Sequence, residues 1–465
     1  MTASMHQFHP TILREYDIRG VIDDTLFEAD ARAIGQAFAT MARARGAKKI
    51  AVGYDGRLSS PIMADAVVAG LLAGGVDAVR IGMSPTPMLY FSCYHLDDVD
   101  GGIQITGSHN PPDYNGFKMI LQKKPFFGEE IQEIGRIAAA GTFASGTGRD
   151  METSVDINAA YVERMVGDYT PGRALKVVWD CGNGATGPSV EAMVAKLPGE
   201  HTVLNAPVDG TFPVHHPDPT LPETLAQLQA AVTAAGAELG IAFDGDGDRI
   251  GVIDGNGEVL WADQLLVMLA QDVLKRHPGG TIIADVKASQ VLFDAVADAG
   301  GKPMMYCTGH SLIKAKMAEV GAPLAGEMSG HIFYADGYFG YDDAMYVAIR
   351  TLGVLATGQG TLADFRLTLP VVLNTPELRF TCSEERKFVV PKEVHERLVA
   401  AGADVNATDG VRVNTADGWW LLRASNTQDV LVARCEALNE AGLQNLKLAL
   451  ASQLAASGVE LPEAF

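Results

Sequence analysis

The chain has 465 residues, of which 47% are hydrophobic and 20% charged, as in folded proteins with more than one hydrophobic core. Its formal net charge is −21, which argues against nucleic acid or an anionic membrane surface as the main partner. No segment approaches the roughly 20 consecutive apolar residues that cross a bilayer. If the ligand is itself an anion, the 36 lysines and arginines must supply a local cluster at its site.

The cysteines and the N-terminal segment favour a cytoplasmic location. The five cysteines are widely spaced and form no CxxC pair, a pattern that indicates reduced thiols. The segment MTASMHQFHPTILREYDIRG contains no apolar stretch of the kind that a signal peptide requires. We therefore expect a cytoplasmic protein.

Three stretches of the chain, beginning at residues 48, 175 and 279, repeat one order of elements. Each has a short apolar strand, a turn rich in glycine or aspartate, and a helical pattern rich in alanine and leucine. A second strand that ends in a polar loop follows each of them. This alternation predicts α/β architecture with mixed, largely parallel sheets and helices on both faces.

The last hundred residues have a different character, because alternating strand patterns there precede one amphipathic helix at 438–457. They predict a C-terminal α+β domain. The small and polar segment AAGTFASGTGRD, the turn DGNG and Pro370 mark the boundaries between domains. The predicted domains are therefore three α/β domains at 1–150, 151–257 and 258–369, and the α+β domain at 370–465.

The sequence DGDGDR (244–249) places three carboxylates, Asp244, Asp246 and Asp248, on a glycine-rich loop after an apolar strand. They can converge on a hard cation such as Mg²⁺. An EF-hand loop would need glycine and glutamate where Arg249 and Gly255 stand, so that interpretation fails. A plain acidic turn is the alternative, but adjacent carboxylates repel one another unless a cation lies between them. The sequence thus predicts a magnesium site.

The segment TGSHNPPDYNGFK (106–118) follows the strand GGIQI and places Ser108 where that strand ends. Open α/β sheets usually bind ligands at such strand ends. The run Asn110-Pro111-Pro112 keeps the serine on a loop. Most serines in turns do no chemistry, and Ser108 lacks the GxSxG elbow of the α/β-hydrolases. Its candidacy depends on the neighbouring motifs.

The sequence GEMSGH (326–331) contains Glu327, a carboxylate that can accept hydrogen bonds from two neighbouring hydroxyls of a sugar. Ser329 can add a further donor or acceptor. A polar turn without a ligand is an equally good interpretation when this motif is considered alone.

The sequence RASNT (423–427) places a guanidinium and several small hydrogen-bonding side chains on one turn of the last domain, which suits phosphate oxygens. The GxGxxG pattern at 182–187 lacks the acidic residue that should end the next strand of a dinucleotide fold. We interpret those glycines as a tight turn between a strand and a helix.

Together the motifs YDIRG, TGSHNP, DGDGDR, GEMSGH and RASNT span nearly the whole chain in this order. The chain thereby resembles the α-D-phosphohexomutase family, most closely its bacterial phosphomannomutase/phosphoglucomutase branch. The resemblance implies three topologically alike α/β domains and a fourth domain around a central cleft. It also implies transfer of a phosphoryl group between O1 and O6 of a hexose phosphate, with Mg²⁺, a glucose 1,6-bisphosphate intermediate and a monomeric enzyme.

Residue by residue, the resemblance implies that Ser108 is phosphorylated and joins Asp244, Asp246 and Asp248 as a metal ligand. The catalytic positions implied are Ser108, Arg19, Lys118 and His331, and either Lys118 or His331 could be the general acid and base. The implied substrate-binding positions are Tyr16, Arg249, Lys287, His310, Glu327, Met328, Ser329, Gly330, His331, Arg423, Ser425, Asn426 and Thr427.

Two departures from the family pattern and three rival functions qualify this resemblance. Gly107 stands where the family usually has alanine, a change we expect to be tolerated, and Gln428-Asp429 follows RASNT in place of Glu/Thr-Pro. Phosphoglucosamine mutase is the nearest rival function, although that branch more often has glutamine at the position of Met328. A metal-dependent phosphatase would need neither a sugar loop nor a second phosphate site, and a non-catalytic binding protein would not need Ser108.

Overall fold

The computed structural model describes residues 5–426 and 428–461, which form four β-sheets that follow one another along the chain. The first sheet contains seven strands in the order β1-β5-β4-β2-β3-β7, with β6 paired to β5. The elements of this domain are β1 (Ile18–Val21), α1 (Glu28–Ala44), β2 (Lys49–Tyr54), α2 (Ser60–Ala73), β3 (Asp77–Met83), α3 (Thr86–His95), β4 (Gly101–Ile105), β5 (Tyr114–Leu121), β6 (Lys124–Pro125), α4 (Glu129–Ala140) and β7 (Asp150–Glu152).

The second sheet has the strand order β12-β11-β10-β8-β9. Its domain contains α5 (Ile157–Gly167), β8 (Leu175–Asp180), α6 (Gly187–Val194), β9 (Gly199–Leu204), a short 3₁₀ helix (Pro222–Leu225), α7 (Ala226–Ala235), β10 (Leu239–Phe243), β11 (Ile250–Asp254) and β12 (Val259–Leu260).

The third sheet has the strand order β14-β13-β15-β16. Its domain contains α8 (Ala262–Arg276), β13 (Thr281–Asp285), α9 (Gln290–Asp298), β14 (Lys302–Tyr306), α10 (His310–Val320), β15 (Leu324–Gly326), β16 (Ile332–Tyr334), α11 (Ala344–Thr357) and α12 (Leu362–Thr368).

These three domains repeat one topology. In each, a central strand (β2, β8 or β13) pairs in parallel with the next strand along the chain on one side and with the third strand on the other. A fourth strand (β5, β11 or β16) then pairs antiparallel with the third. Helices connect the parallel strands, as parallel crossovers require. The predicted likeness of the three domains is confirmed.

The fourth domain is an antiparallel sheet in the order β17-β22-β21-β20-β19, with β18 also paired to β22. Its elements are β17 (Leu373–Asn374), β18 (Leu378–Thr381), α13 (Glu384–Lys387), α14 (Val390–Ala400), β19 (Asp404–Asn406), β20 (Val411–Thr415), β21 (Gly418–Ala424), β22 (Val430–Ala437) and α15 (Glu440–Ala456). This is the predicted α+β domain, and it has its own hydrophobic core built around Trp420 and three leucines of α15.

One hydrophobic core, by contrast, extends through the first three domains. A buried carboxylate strengthens the junction of the second and third domains: Asp343, the N-cap of α11, accepts hydrogen bonds from the hydroxyls of Tyr161 and Tyr338, both at 2.8 Å. Burial raises the pKa of Asp343 to about 6, although these hydrogen bonds favour its charged form. The three α/β domains are therefore packed against one another and not merely linked.

The cysteines and helix lengths agree with two sequence-based expectations. All five cysteines are free thiols, and four of them are buried. Burial raises the pKa of Cys93 to about 12, so this thiol stays protonated at neutral pH. No helix of residues 5–426 and 428–461 is both long and apolar enough to cross a membrane.

Candidate active site

The repeated topology places three of the predicted motifs at equivalent positions. The Ser108 loop joins β4 to β5, the aspartate loop joins β10 to β11, and the Glu327 loop joins β15 to β16. The loops also touch: a Cβ on Gly245 would lie 2.5 Å from the Ser108 carbonyl oxygen, and the Ile250 amide donates to the Gly330 carbonyl at 3.1 Å. Only a glycine at position 245 allows this close approach.

Ser108 lies at the centre of this arrangement with 2% of its surface exposed. Its hydroxyl donates a hydrogen bond to Asp244 Oδ2 at 2.8 Å, and its amide donates to Thr106 Oγ1 at 2.8 Å. The backbone has φ = +51°, a left-handed conformation that residues other than glycine adopt at an energetic cost and often at functional sites. The fold thus holds Ser108 in a strained conformation against the aspartate loop.

The three aspartates of the loop are fully buried, and each presents a carboxylate oxygen within 4.8 Å of the others. Asp244 Oδ1 accepts hydrogen bonds from the three backbone amides of residues 247–249. In contrast, Asp246 Oδ1 and Asp248 Oδ1 find no hydrogen-bond donor within the described residues. Buried carboxylate oxygens without donors fit a hard, oxygen-preferring cation such as Mg²⁺.

The charges of this cluster explain why it needs a cation. Burial, together with the neighbouring Asp246 and Asp248, raises the pKa of Asp244 well above its ordinary value. Lys118 offsets part of the negative charge of the cluster, because its Nζ donates to Asp246 Oδ2 at 2.7 Å and also to Asp248 Oδ2. Burial opposes a charged lysine, but the three carboxylates outweigh it and raise the pKa of Lys118. In this arrangement Lys118 is a cation and a poor proton acceptor.

His331 has a different environment from Lys118. Its Nε2 accepts a hydrogen bond from Arg249 Nε at 3.0 Å, which places the proton of a neutral ring on Nδ1. That Nδ1 lies 3.1 Å from Asp342 Oδ2, and the Asp342 Oδ1 atom accepts from Lys314 Nζ at 2.8 Å. Although burial opposes it, Lys314 and the neighbouring histidines lower the pKa of Asp342 well below its ordinary value. The His331 ring therefore lies between the Arg249 guanidinium at Nε2 and the Asp342 carboxylate near Nδ1.

The remaining predicted residues of the third domain divide between the cleft and its edge. Glu327 is buried, with Oε1 accepting from the Gly309 amide at 2.7 Å. His310 stacks on His331 with ring centroids 5.4 Å apart, and burial, with Lys314 nearby, lowers its pKa well below the ordinary value. Ser329 is half-buried on the same turn as Glu327. The Met328 side chain, however, contacts the Arg434 guanidinium and lies toward the fourth domain.

The predicted phosphate loop of the fourth domain meets the first and third domains at Tyr16. The Tyr16 hydroxyl donates to the Thr308 carbonyl at 2.7 Å and accepts from Asn426 Nδ2. Arg423 Nε donates to Asp409 Oδ2 at 2.9 Å, and the same oxygen accepts from the Thr308 amide. Contacts among three domains therefore enclose this end of the cleft.

Four other predicted positions complete the placement. Arg19 donates to Asn110 of the Ser108 loop and to Asp17, while Lys287 Nζ lies 3.5 Å from Glu377. Ser425 Oγ accepts a hydrogen bond from the amide of residue 428 at 3.1 Å. Thr427, also predicted to bind substrate, lies outside the described residues.

Sequence reasoning missed several residues of the site. Asp342 Oδ2 lies 3.1 Å from His331 Nδ1, Lys314 donates to the other oxygen of Asp342, and Thr86 donates to Asp246 Oδ2 at 2.5 Å. Their only sequence signals, an acidic pair after a glycine-rich turn and a threonine between two prolines, are common in proteins. The GxGxxG pattern is the predicted tight turn: a Cβ on Gly187 would lie 1.9 Å from the Ala206 carbonyl oxygen.

Comparison with known proteins matches all four domains. Models described as "Phosphoglucomutase/phosphomannomutase, alpha/beta/alpha domain I", "domain II" and "domain III" match residues 10–145, 159–257 and 261–370. The model of the family's "C-terminal domain" matches 377–453. This chain belongs to the phosphoglucomutase/phosphomannomutase family.

Individual relatives of this family are similar over the full chain. The phosphomannomutase/phosphoglucomutase of Pseudomonas aeruginosa is 42% identical over 464 residues, which cover 100% of both chains. The phosphoglucomutase of Neisseria gonorrhoeae is 40% identical over 94% of this chain and 95% of its own. A crystal structure of a family protein from Burkholderia thailandensis superposes with a TM-score of 0.93 at 42% identity, covering 98% of this chain and 100% of the other.

The orphaned oxygen of Asp246 leads to a prediction about the metal. Asp246→Asn should weaken binding of Mg²⁺ or Mn²⁺ about tenfold or more, because a charged oxygen ligand becomes neutral. Titration calorimetry with Mg²⁺, or electron paramagnetic resonance of free Mn²⁺, measures this. Asp254→Asn is the matched control, since Asp254 is equally buried in the same sheet but pairs with Arg366 at 2.8 Å. Equal affinity in Asp246→Asn and wild type would contradict the assignment.

Proposed function

We propose that this chain is a phosphomannomutase/phosphoglucomutase that interconverts hexose 1-phosphate and hexose 6-phosphate through phosphorylated Ser108. The observation that carries the proposal is the Ser108 hydroxyl held 2.8 Å from Asp244, beside the orphaned oxygens of Asp246 and Asp248. The names of the relatives and the opposing sugar and phosphate loops support it. Free thiols, four of the five buried, are consistent with action in the cytoplasm.

The proposed reaction consists of two phosphoryl transfers. Phosphoserine 108 first transfers its phosphoryl group to the free O1 or O6 hydroxyl, whose proton passes to a base, and the Ser108 oxygen takes a proton as it leaves. The resulting hexose 1,6-bisphosphate then reorients in the cleft, so that its two phosphate groups exchange places. Its other phosphoryl group is transferred back to Ser108. Glu327 would hold sugar hydroxyls in both orientations, while Arg423, Ser425 and Asn426 hold the distal phosphate.

Electrostatics is the main physical problem for this reaction. Two phosphate dianions about 6 Å apart repel each other by on the order of 10 kcal/mol at an effective dielectric constant near 20. Mg²⁺ bound by the three aspartates would neutralise the phosphoryl oxygens at Ser108 and stabilise the charge of the transition state. Arg19, Lys118 and Arg249 surround the same point and would share this role.

His331 is the better candidate for the general acid and base. The charged Lys118 already donates to two carboxylates, whereas Nε2 of His331 is in the position of a hydrogen-bond acceptor. A substrate phosphate that draws Arg249 away would free Nε2 to accept the proton of the attacking hydroxyl. Asp342 would stabilise the imidazolium that forms, as an orienting carboxylate does beside other catalytic histidines.

Exclusion of water separates a mutase from a phosphatase, because water would otherwise accept the phosphoryl group. The contact of Asn426 with Tyr16 supports such exclusion, since it brings the fourth domain onto the first across the cleft. The sugar loop and the phosphate loop would be unnecessary in a phosphatase that acts on one phosphate. Phosphoglucosamine is the alternative substrate within the same mechanism.

A coupled assay with glucose 1-phosphate, Mg²⁺ and trace glucose 1,6-bisphosphate tests the proposed function. The wild-type protein should form glucose 6-phosphate without releasing inorganic phosphate, and Ser108→Ala should lose at least a thousandfold in rate because the phosphoryl carrier is gone. Phosphate release without isomerisation would identify a phosphatase instead.

Replacement of His331 tests the assignment of the proton-transfer group. His331→Asn should lower kcat by 10² to 10⁴-fold, the usual contribution of a general acid and base. His277→Asn is the control, because His277 pairs with Asp336 away from the cleft loops. A kcat within tenfold of wild type in steady-state assays would rule His331 out as the proton carrier.

The proposed binding of sugar hydroxyls by Glu327 predicts that the enzyme uses both glucose and mannose phosphates. These sugars differ only at C2, so a carboxylate that holds O3 and O4 distinguishes them weakly. We expect kcat/KM values for glucose 1-phosphate and mannose 1-phosphate within a thousandfold of each other, or about 4 kcal/mol. A larger preference, or activity with glucosamine 1-phosphate alone, would contradict this.

A further inference from the structure

Arg57, on the turn between β2 and α2, is almost completely buried and lies against the loop that carries Ser108. Its guanidinium donates to the carbonyl oxygens of Ser108 at 2.8 Å, Asn110 at 2.6 Å and Tyr114 at 3.0 Å, and also to that of Pro111. One side chain thus satisfies four carbonyl groups of residues 108–114. A planar, rigid guanidinium fork suits such a task, whereas a lysine ammonium on a flexible stem does not.

Asp55 completes this support from the other side. Its carboxylate accepts from Arg57 Nε at 3.1 Å, from Thr106 Oγ1 at 2.8 Å and from the Gly107 amide at 3.1 Å. Since Thr106 in turn accepts from the Ser108 amide, the Asp55–Arg57 pair holds the backbone on both sides of Ser108. These bonds maintain the left-handed φ of Ser108, which the chain would otherwise relax.

Gly107 leaves room for this guanidinium. A Cβ at position 107 would lie 2.4 Å from both Cζ and Nε of Arg57, well inside van der Waals contact. An alanine at position 107 of this chain would therefore require Arg57 to move.

A loop of the second domain, residues 205–221, packs against Arg57 and shields it from solvent. The Phe212 ring lies over the guanidinium at 5.1 Å, and Phe212 itself adopts a left-handed backbone with φ = +50°. The loop also places Pro217 against the aspartate loop, since a Cβ on Gly245 would lie 3.4 Å from Pro217 Cγ. The same loop therefore contacts both halves of the site, which come from different domains.

We propose that Arg57 is the residue that positions Ser108 for phosphoryl transfer, and that Phe212 fixes Arg57 relative to the aspartate loop. This inference rests on the proposed function, because it assigns a geometry to the same serine. The hydrogen bonds of Arg57 go to Asp55 and to backbone carbonyl groups of the Ser108 loop, so its proposed role is one of positioning. It acts by keeping the Ser108 oxygen in line with the transferring phosphoryl group, and a misplacement of about 1 Å costs on the order of 100-fold in rate.

The test compares Arg57→Lys with wild type in a single turnover. The unphosphorylated protein is mixed with glucose 1,6-bisphosphate, and intact mass spectrometry follows phosphorylation of Ser108. We expect at least a tenfold lower rate of phosphorylation and a matching loss in kcat, with KM for glucose 1-phosphate within threefold of wild type. A purely structural role would lower the melting temperature and leave the single-turnover rate unchanged.

Arg350→Lys is the matched control. Arg350 is also a largely buried guanidinium, bonded to the Asp336 carboxylate at 2.9 Å and to a carbonyl at 3.0 Å. Among the residues that the structure describes, its hydrogen bonds and ion pairs involve none of the site loops. The Arg350→Lys variant should be less stable than wild type but should phosphorylate Ser108 at the wild-type single-turnover rate. Two further variants test the same role if Arg57→Lys does not fold. Gly107→Ala should displace the guanidinium, and Phe212→Leu removes the aromatic ring that packs on it. Each should lower the same rate.

The possible outcomes separate the two proposals. If wild-type protein is not phosphorylated at Ser108 by the bisphosphate, the proposed function itself fails. If wild type is phosphorylated and every folded variant among Arg57→Lys, Gly107→Ala and Phe212→Leu reacts within twofold of it, only the positioning role is overturned.

Discussion

The site depends on the close approach of two loops from different domains, one carrying Ser108 and the other carrying three aspartates. Their contact is a hydrogen bond of 2.8 Å from Ser108 to Asp244, made possible by Gly245, which has no side chain to separate the two backbones. Three buried carboxylates repel one another strongly, and Lys118 from β5 offsets only part of that repulsion. The first two domains are thus held together by a charge arrangement that a divalent cation would complete.

The repeated topology accounts for the way in which the site is assembled. Each α/β domain offers the same connection, from its third parallel strand to its antiparallel fourth strand, at the cleft. The three copies carry different chemistry: a hydroxyl in the first, carboxylates in the second, and a carboxylate with an imidazole in the third. Because one core extends through all three domains, the relative positions of these loops are fixed by packing.

Local patterns in the sequence were sufficient to predict much of this architecture. The alternation of strands and helices can be predicted from neighbouring residues, and the spacing of the aspartates at 244, 246 and 248 predicts a metal site. Contacts between distant segments were not predictable in this way. Arg57 reaches a loop some fifty residues away. His331 lies beside Asp342 and accepts a hydrogen bond from Arg249, which belongs to another domain.

Met328 illustrates a different limit of sequence-based reasoning. Its position within GEMSGH indicated a contact with the sugar, but its sulfur contacts Arg434 of β22. Alternate residues on a short turn point in different directions: Glu327 accepts a hydrogen bond from the Gly309 amide, while the Met328 side chain contacts the fourth domain. A substrate contact of Met328 stays a prediction, because a motif identifies a loop before it assigns each side chain on that loop.

The pairing of charges explains how a protein of net charge −21 can bind an anionic sugar phosphate. Most cations of the cleft are already paired with carboxylates: Arg19 with Asp17, Lys287 with Glu377, and Arg423 with Asp409. These pairs avoid a permanent excess of positive charge, which would attract anions without discrimination. Arg249 differs, because its Nε donates to Nε2 of the His331 ring. A phosphate that engages Arg249 would therefore displace no carboxylate, and under the proposed function its arrival would release Nε2 of His331. In the proposed mechanism, binding of the anion at Arg249 and release of that nitrogen would be one event.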